Sequence, residues 1–534
     1  MPRNAADLAG TRYDLLVVGG GIHGLFAAYD AASRGLSVAL VERADFGGGL
    51  SAQHQRTLHG GLRAMESASA GKARGQIRER RTWAVIAPHL IRPLPFLIGT
   101  YRFTKRSRWL VKAGFKAYDF IGRHRNHDVS PELHLPRAKL ESAAATRRLF
   151  PGIADKGLSG GAVWYDYQIK HPDRLNWTVV LAAVEAGAKL ANYIEATGPL
   201  RDGQRVAGAR VRDLVTGREH DVQASATLLA CGSGLPATMA KFGVTGAPPM
   251  VRAMNLLVNR PARDIATAAR GLSGRMLTMV PWQGLVLVGT FQSPDVITDT
   301  SAPAPDMIDA CLADANAAFP NLHATRADIR LVHCGLTPAV VRNGKAELLP
   351  EPQVISHARE GAAGVHSLIG VKFTTARRAA EHAVDVVCKE LGRSRGRCVT
   401  ARQTLPHAGI ADFEGRLVET LREVAAELDR DVMDHFGAWY GTEASTVIHF
   451  ARTAGLTDRL APGCPILAGE VAYAVEFGAA VHLSDVVLRR LPLGNAGHPG
   501  MAALARAAEI MGERMDWSPE RRAEEIAAVE KIYP

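Results

Sequence analysis

The run Tyr13-Asp14-Leu15-Leu16-Val17-Val18-Gly19-Gly20-Gly21-Ile22-His23-Gly24, followed by an alanine-rich stretch and by Val38-Ala39-Leu40-Val41-Glu42, constrains this chain more than any other feature. It predicts a strand–helix–strand unit that holds a dinucleotide. Leu15 to Val18 reads as a parallel strand buried on both faces, and Gly19, Gly21 and Gly24 fall where that strand hands over to a helix. Gly19 permits the tight turn, Gly21 lets the backbone approach a pyrophosphate, and Gly24 lets the helix pack closely on the strand. The N–H groups at the helix start, around Ile22 and His23, then face the phosphate. Glu42 closes the second strand where a carboxylate accepts hydrogen bonds from a ribose, with Arg43 beside it.

At 534 residues the chain divides into two or three domains, because single cores stop growing beyond about 250–300 residues. A net charge of +11 admits nucleic acid, anionic lipid or an anionic small molecule as partner. The charge is spread along the chain and no nucleic-acid module occurs, which favours the last two. Six cysteines, Cys231, Cys311, Cys334, Cys388, Cys398 and Cys464, contain no CxxC pair, so neither a zinc site nor a disulfide framework is expected. Met1 to Arg12 lacks the apolar core of a signal peptide, and no run of about 18 apolar residues occurs. The expected place is the cytoplasm or the inner face of its membrane.

Further along, Gly47 to Arg63 is polar, glycine-rich and too irregular for a long helix, which makes it a candidate active-site loop. Gln76 to Pro88 reads as helix, and an alanine-rich helix runs from Val179. Strands are expected around Val206 to Val215 and from Ala226 to Gly232, the latter a second approach to the nucleotide. Residues 250 to 300 alternate apolar and polar positions, as a substrate-domain sheet would. Val365 to Ile369 gives another buried strand, leading through Gly370 and Lys372 into a helix near Thr374-Thr375. From about Thr404 helix follows helix to Tyr533, punctuated by Pro462, Pro465 and Pro492.

Two strands ending in glycine turns serve NAD or FAD alike; the N-terminal nucleotide unit, its distant partner strand and the glycine–helix junction at Gly370 point to FAD. Gly19-Gly20-Gly21-Ile22-His23-Gly24, His59-Gly60-Gly61-Leu62-Arg63, Ala87-Pro88-His89, Val280-Pro281-Trp282, Gly289-Thr290 and Lys372-Phe373-Thr374-Thr375 together resemble the FAD-dependent glycerol-3-phosphate dehydrogenase family. That family belongs to the D-amino-acid-oxidase-like flavoproteins. The resemblance continues through Glu470 to Val475 and Leu483 to Val486, and so covers nearly the whole chain. It implies an α/β fold: a Rossmann-like FAD-binding domain with an interleaved antiparallel-sheet substrate domain, plus a C-terminal all-α domain. The expected oxidoreductase region is 1–403, with FAD-binding segments at about 13–90, 150–240 and 330–395 and substrate-domain segments at about 91–149 and 241–330; the helical domain is 404–534. FAD is expected to meet Gly19, Gly21, Ile22, His23, Gly24, Glu42, Arg43, Gly60, Gly232, Gly370, Lys372 and Thr374.

The departures fall on the substrate side. The family's lysine before the His-Gly-Gly run is Arg56 here, and the tyrosine after its arginine is Ala64. Gly-Val-Arg-Pro-Leu, whose arginine helps hold the substrate phosphate in the family, appears as Gly335-Leu336-Thr337-Pro338-Ala339. Ala253-Met254-Asn255-Leu256 stands for Lys-Gly-Ser-His, and Phe291-Gln292 for Thr-Asp. The expected substrate is therefore a small hydroxylated, anionic compound, either glycerol 3-phosphate or another.

Oxidising a secondary alcohol with FAD moves a hydride to flavin N5 while the hydroxyl proton leaves, so the protein must supply positioning, a proton acceptor and positive charge. Arg63 and Lys372 are the candidates for electrostatic catalysis; otherwise Arg63 is a surface ion pair and Lys372 a helix-start residue. His59 is the candidate base, or else a loop-fixing group, with His333 and His23 as alternatives. Arg63, Arg252, Thr337 and Lys372 are the expected substrate contacts. The basic, aromatic segment Arg102 to Arg125 suits a helix lying on anionic lipid, or a solvated face packed through Trp109 and Phe115. The resemblance implies a quinone acceptor; oxygen also stays open, as does a homodimer. The competing functions are an amine or amino-acid oxidase on the same fold and a flavoprotein whose activity has decayed.

Overall fold

Leu15, Leu16 and Val17 are wholly buried because their strand, Arg12–Val18, runs mid-sheet, parallel to Val38–Val41 on one side and to Glu219–Leu229 on the other. The computed structural model describes residues 6–62, 69–102, 107–298, 303–393, 396–409 and 428–534. Arg63, Ala64, Lys105 and Arg106 lie outside the described residues, as does 410–427 of the expected helical domain.

In the first sheet the strands Gln353–Ser356, Val365–Ile369, Glu219–Leu229, Arg12–Val18, Val38–Val41 and Lys189–Ala191 lie side by side in that order. Along this order the pairings are parallel except that of the edge strand Gln353–Ser356; off it, Arg205–Asp213 pairs antiparallel with Glu219–Leu229 and with Ile194–Asp202. Helices Ile22–Ser33, Pro172–Glu185 and Ala376–Glu390 cover one face through Leu25, Phe26, Val179, Val180, Ala380 and Val384. The hairpin Ile194–Asp202 and Arg205–Asp213 and the helix Leu235–Phe242 cover the other. Pro172 starts its helix about two turns before Val179, at the position where a missing N–H costs nothing. The helix Ala70–Ile86 likewise begins before Gln76; Gly71 and Gly75 in its first turns mask its helical character in the sequence.

The second sheet has ten strands, nine of them in the order Lys345–Leu348, Ile329–Arg342, Met250–Val258, Leu285–Gln292, Met276–Trp282, Ala266–Arg270, Ile91–Tyr101, Leu158–Ile169 and Thr57–Leu58. Four of these strands, Thr57–Leu58, Lys345–Leu348, Leu158–Ile169 and nearly all of Ile329–Arg342, lie in segments expected to bind FAD, and the two long ones depart most. Leu158–Ile169 pairs antiparallel with Ile91–Tyr101, and Ile329–Arg342 with Met250–Val258, so both belong with the substrate sheet rather than the FAD-binding segments 150–240 and 330–395. Their partners are distant in sequence, and no turn marks where the chain passes between sheets. Helix Pro305–Ala318 covers one face of this sheet through Cys311, Leu312 and Ala315 against Met254, Leu256 and Val288.

The C-terminal part is helical. Arg430–Tyr440, Ala444–Thr453, Ala468–Glu476, Met501–Met515 and Pro519–Glu530 enclose a core of Phe436, Trp439, Val471, Leu504 and Met511. Pro519 opens the last helix, where Ser518 Oγ accepts from Arg521 N at 3.2 Å.

Candidate active site

Four parallel strands end on one edge of the first sheet, and their loops converge there. Gly19 (φ +111°) leaves Arg12–Val18 so tightly that a Cβ would stand 2.6 Å from Ala230 O, and a Cβ at Gly24 would stand 1.9 Å from Gly19 O. At Gly21 a Cβ would meet only Ser51 Oγ, at 3.2 Å. Gly21 is thus free of the protein but open to a close-approaching ligand. It also caps the helix with no side-chain bond of its own; Ile22 N donates to Ser51 Oγ at 2.9 Å, so the anion-facing helix N-terminus is shared between that hydroxyl and the backbone at His23. Glu42 follows Val38–Val41; Oε2 accepts from Gly20 N at 2.6 Å and Oε1 from Ala44 N at 2.8 Å. Burial raises its pKa against these bonds, and each oxygen keeps a second acceptor site for a ribose hydroxyl. Arg43 lies over the second glycine turn, Gly232–Gly234; a Cβ at Gly234 would stand 3.6 Å from its Cζ. Gly370 leaves Val365–Ile369 as a notch for the imidazole of His23, whose Nε2 is buried without a hydrogen-bond partner and whose pKa burial lowers to about 4. The glycine cradle, the carboxylate and this orphaned nitrogen fit a bound dinucleotide.

The His-Gly-Gly run is fixed from three sides. His59 N donates to Thr374 Oγ1 at 3.1 Å, while Thr374 O accepts from Trp83 Nε1 at 3.0 Å. Asp166 takes Gly60 N on Oδ1 at 2.8 Å and His59 Nδ1 on Oδ2 at 3.2 Å. Arg80 binds the same carboxylate and reaches Tyr118 Oη at 3.2 Å, which in turn donates to Gly60 O at 3.0 Å. No side chain fits at Gly60, since a Cβ would come within 2.2 Å of Arg80 Nη1. Burial alone would raise the pKa of Asp166, but His59 and Arg80 hold it below the usual carboxylate range. The His59 side chain is 54% exposed, with its Nδ1 tethered to Asp166. Lys372, exposed, caps the short turn Phe373–Thr375 two residues before Thr374.

His333 is placed differently. It is buried, and its Nε2 accepts from Arg56 Nη2 at 3.2 Å. Burial and the neighbouring guanidinium lower its pKa well below the ordinary range. Its lone pair is occupied, which leaves His59 as the better-placed proton acceptor. Arg56 is itself buried, stacked over Trp282 at 4.6 Å, with a pKa brought down to about 10 by burial.

The register separates two expected substrate contacts. Thr337 lies opposite Val251 and Arg252 opposite Leu336, so their side chains leave opposite faces of the sheet. Arg252 Nη1 turns to Cys334 Sγ at 3.7 Å, away from the face that carries Thr337 and His333. Asn255, opposite His333, accepts from Thr290 Oγ1 at 2.9 Å on the Thr337 face. Asp166, Arg80 and Tyr118 give no sequence signal, because their partner is far away along the chain.

The family model described as FAD dependent oxidoreductase matches residues 14–386, and the model for the C-terminal domain of alpha-glycerophosphate oxidase matches 398–522. A glycerol-3-phosphate dehydrogenase of Synechocystis sp. is 30% identical over 548 residues, covering 98% of this chain and 97% of the relative. The mitochondrial glycerol-3-phosphate dehydrogenase of Arabidopsis thaliana is 31% identical over 559 residues, covering 98% of this chain and 86% of its own length. Among solved structures, the glycerol-3-phosphate dehydrogenase from Bacillus halodurans complexed with FAD shares the fold at a TM-score of 0.74 and 22% identity, over 98% of this chain and 95% of that one.

Proposed function

We propose, from the premise that this chain belongs to the FAD-dependent glycerol-3-phosphate dehydrogenase family, that it oxidises the secondary alcohol of a small anionic polyol compound and delivers the electrons to a quinone. The chain is an FAD-dependent oxidoreductase. The observation that carries the reading is the exposed His59 imidazole tethered to Asp166, with its backbone bonded to Thr374 beside Lys372.

Bound FAD supplies the hydride acceptor at N5. Gly19, Gly21, Ile22 and Gly24 shape the pyrophosphate cradle, and Glu42 takes the ribose. His59 Nε2 accepts the hydroxyl proton, while Asp166 on Nδ1 orients the ring. Lys372 places positive charge beside the developing alkoxide and the substrate anion. Thr337 stands where the family has a phosphate-binding arginine, so the anion is met by a neutral hydroxyl and glycerol 3-phosphate is a slow substrate compared with a closely related polyol acid.

Electron delivery to a quinone fits the helix Arg108–Ile121. Phe115 and Tyr118 are buried in the fold, whereas Trp109, Leu110 and Phe120 are 79%, 60% and 68% exposed among Lys112, Lys116 and Arg123. An apolar ridge flanked by cations suits the headgroup region of an anionic bilayer. Among the described residues no helix is long and apolar enough to cross a membrane.

Anaerobic mixing of the flavoprotein with polyol phosphates, hydroxy acids and amino acids tests the reading. Bleaching of the visible flavin absorbance by a polyol phosphate or hydroxy acid is expected. Bleaching by amino acids alone, with peroxide released on readmitting air, would replace it with an amino-acid oxidase.

A further inference from the structure

The helical C-terminal part reaches back to the dinucleotide loop through one carboxylate. Asp45 lies three residues after Glu42 and is fully buried. Its Oδ2 accepts from Arg489 Nε at 2.5 Å and Arg490 Nη1 at 2.8 Å; its Oδ1 accepts from Arg490 Nη2 at 2.7 Å and Asn192 Nδ2 at 2.9 Å. Both arginines belong to a single turn, Val486–Arg490, of the helical part. That turn is itself held on several sides. Arg489 also binds Asp485, which accepts from Tyr193 Oη at 2.6 Å. Arg490 stacks over Trp177 at 4.2 Å and donates to Gly478 O at 2.5 Å, and its own carbonyl accepts from Trp439 Nε1 at 2.7 Å.

The backbone around Asp45 connects this clamp to the cofactor cradle. Ala44 N donates to Glu42 Oε1, and Ala44 O accepts from Tyr193 N at 3.0 Å. Asp45 O accepts from Gly48 N at 3.1 Å, and Gly47 N donates to Gly20 O at 2.9 Å. The loop from Glu42 to Gly48 thus closes on the glycine turn at both ends, with Asp45 at its centre. A buried carboxylate shared by two guanidiniums keeps one geometry, because breaking either pair strands a buried charge.

We propose that Asp45, Arg489 and Arg490 are positioning residues for FAD, through which the C-terminal helical part fixes the Glu42 carboxylate against the glycine turn and so sets the affinity for the cofactor. The coupling is reciprocal: FAD must stabilise the Val486–Arg490 turn as much as that turn stabilises the FAD site. The inference rests on the reading of Glu42 as the ribose carboxylate.

The test measures the FAD dissociation constant of full-length apoprotein by flavin fluorescence for wild type, Asp45→Asn, Glu42→Gln and Leu504→Ala. Leu504 is buried in the helical core and belongs to neither the clamp nor the site, so its truncation loosens the same part of the molecule without touching Asp45. Asp45→Asn removes the charge from four hydrogen bonds and is expected to raise the dissociation constant about tenfold or more. Leu504→Ala should lower the melting temperature and leave FAD affinity within about twofold. Equal FAD affinity in Asp45→Asn and wild type, or an equal loss in Leu504→Ala, would overturn the inference. If Glu42→Gln binds FAD normally, the ribose assignment fails; if it weakens binding while Asp45→Asn does not, only the clamp fails. Should Asp45→Asn not fold, amide hydrogen exchange on the wild type decides: FAD is expected to slow exchange across 485–491, and unchanged exchange there overturns the coupling.

Discussion

Thr337 is the residue on which the proposed substrate choice turns. It is buried on Ile329–Arg342, on the face shared with His333 and, across the strand pair, with Asn255. A hydroxyl gives a phosphate one neutral hydrogen bond where a guanidinium gives two charge-assisted ones. The difference is about 1.5–3 kcal/mol, or roughly ten- to over a hundredfold in affinity. Thr337→Arg is therefore expected to raise kcat/KM for glycerol 3-phosphate by at least about tenfold and to depress it for the native substrate, read from steady-state kinetics on both compounds. High wild-type efficiency on glycerol 3-phosphate, unchanged in the variant, would move phosphate recognition elsewhere. Lys372 is the first place to look, since Arg252 turns to the other face of the sheet. At this scale the sequence exposes residues whose role is written in a local pattern, such as Gly19, Gly21, Gly24 and Glu42. Asp166 stayed invisible because its function depends on Gly60, His59 and Arg80 meeting it across two sheet strands and a helix. No periodicity records such a meeting.

Among the elements, the parallel strands were the most legible. A strand buried on both faces reads as a near-continuous apolar run, and Leu15 to Val18 and Val38 to Val41 are such runs, while Val365–Ile369 is buried throughout yet carries His366 and Ser367. The long antiparallel strands were less so: Leu158–Ile169 and Ile329–Arg342 each mix buried and half-exposed positions, and their sheet membership follows from partners far along the chain. The short helix Leu483–Asp485 adds an element whose stability depends on pH. His482 Nδ1 meets Glu525 Oε1 at 2.7 Å, and Glu525 Oε2 accepts from Leu483 N at 2.9 Å. The hydrogen bond to Glu525, opposed by partial burial, raises the pKa of His482 above its ordinary 6.5. A raised histidine pKa contributes stability that is fully present below the unfolded value and is lost as pH rises through the folded one. The melting temperature is thus expected to fall as pH rises above about 6.5, and His482→Gln to flatten that decline. A wild-type profile with the opposite slope that His482→Gln leaves unchanged would remove this pair from the stability of the helical part.

For the whole molecule, a net charge of +11 and the exposed ridge of Arg108–Ile121 suit the same anionic surface. In the proposed membrane docking, cations bring the protein to an anionic surface, and Trp109 and Phe120 leave water for the headgroup layer. Trp109→Ser combined with Phe120→Ser is expected to cut co-sedimentation with vesicles containing anionic phospholipid by about tenfold or more, because each aromatic side chain contributes about 1.5–3 kcal/mol on burial. Turnover with a soluble dye acceptor should be unchanged, and equal sedimentation of wild type and variant would assign the ridge to another contact. The architecture brings a cofactor cradle, a tethered imidazole and a lysine to one junction between two sheets, where the proposed reaction takes a hydride from a carbinol carbon. The most direct measurement is the rate of anaerobic flavin bleaching by glycerol 3-phosphate, or by the preferred polyol acid, carrying hydrogen or deuterium on that carbon. A clear slowing by deuterium is the predicted result; equal rates, or no bleaching by any secondary alcohol, would contradict it.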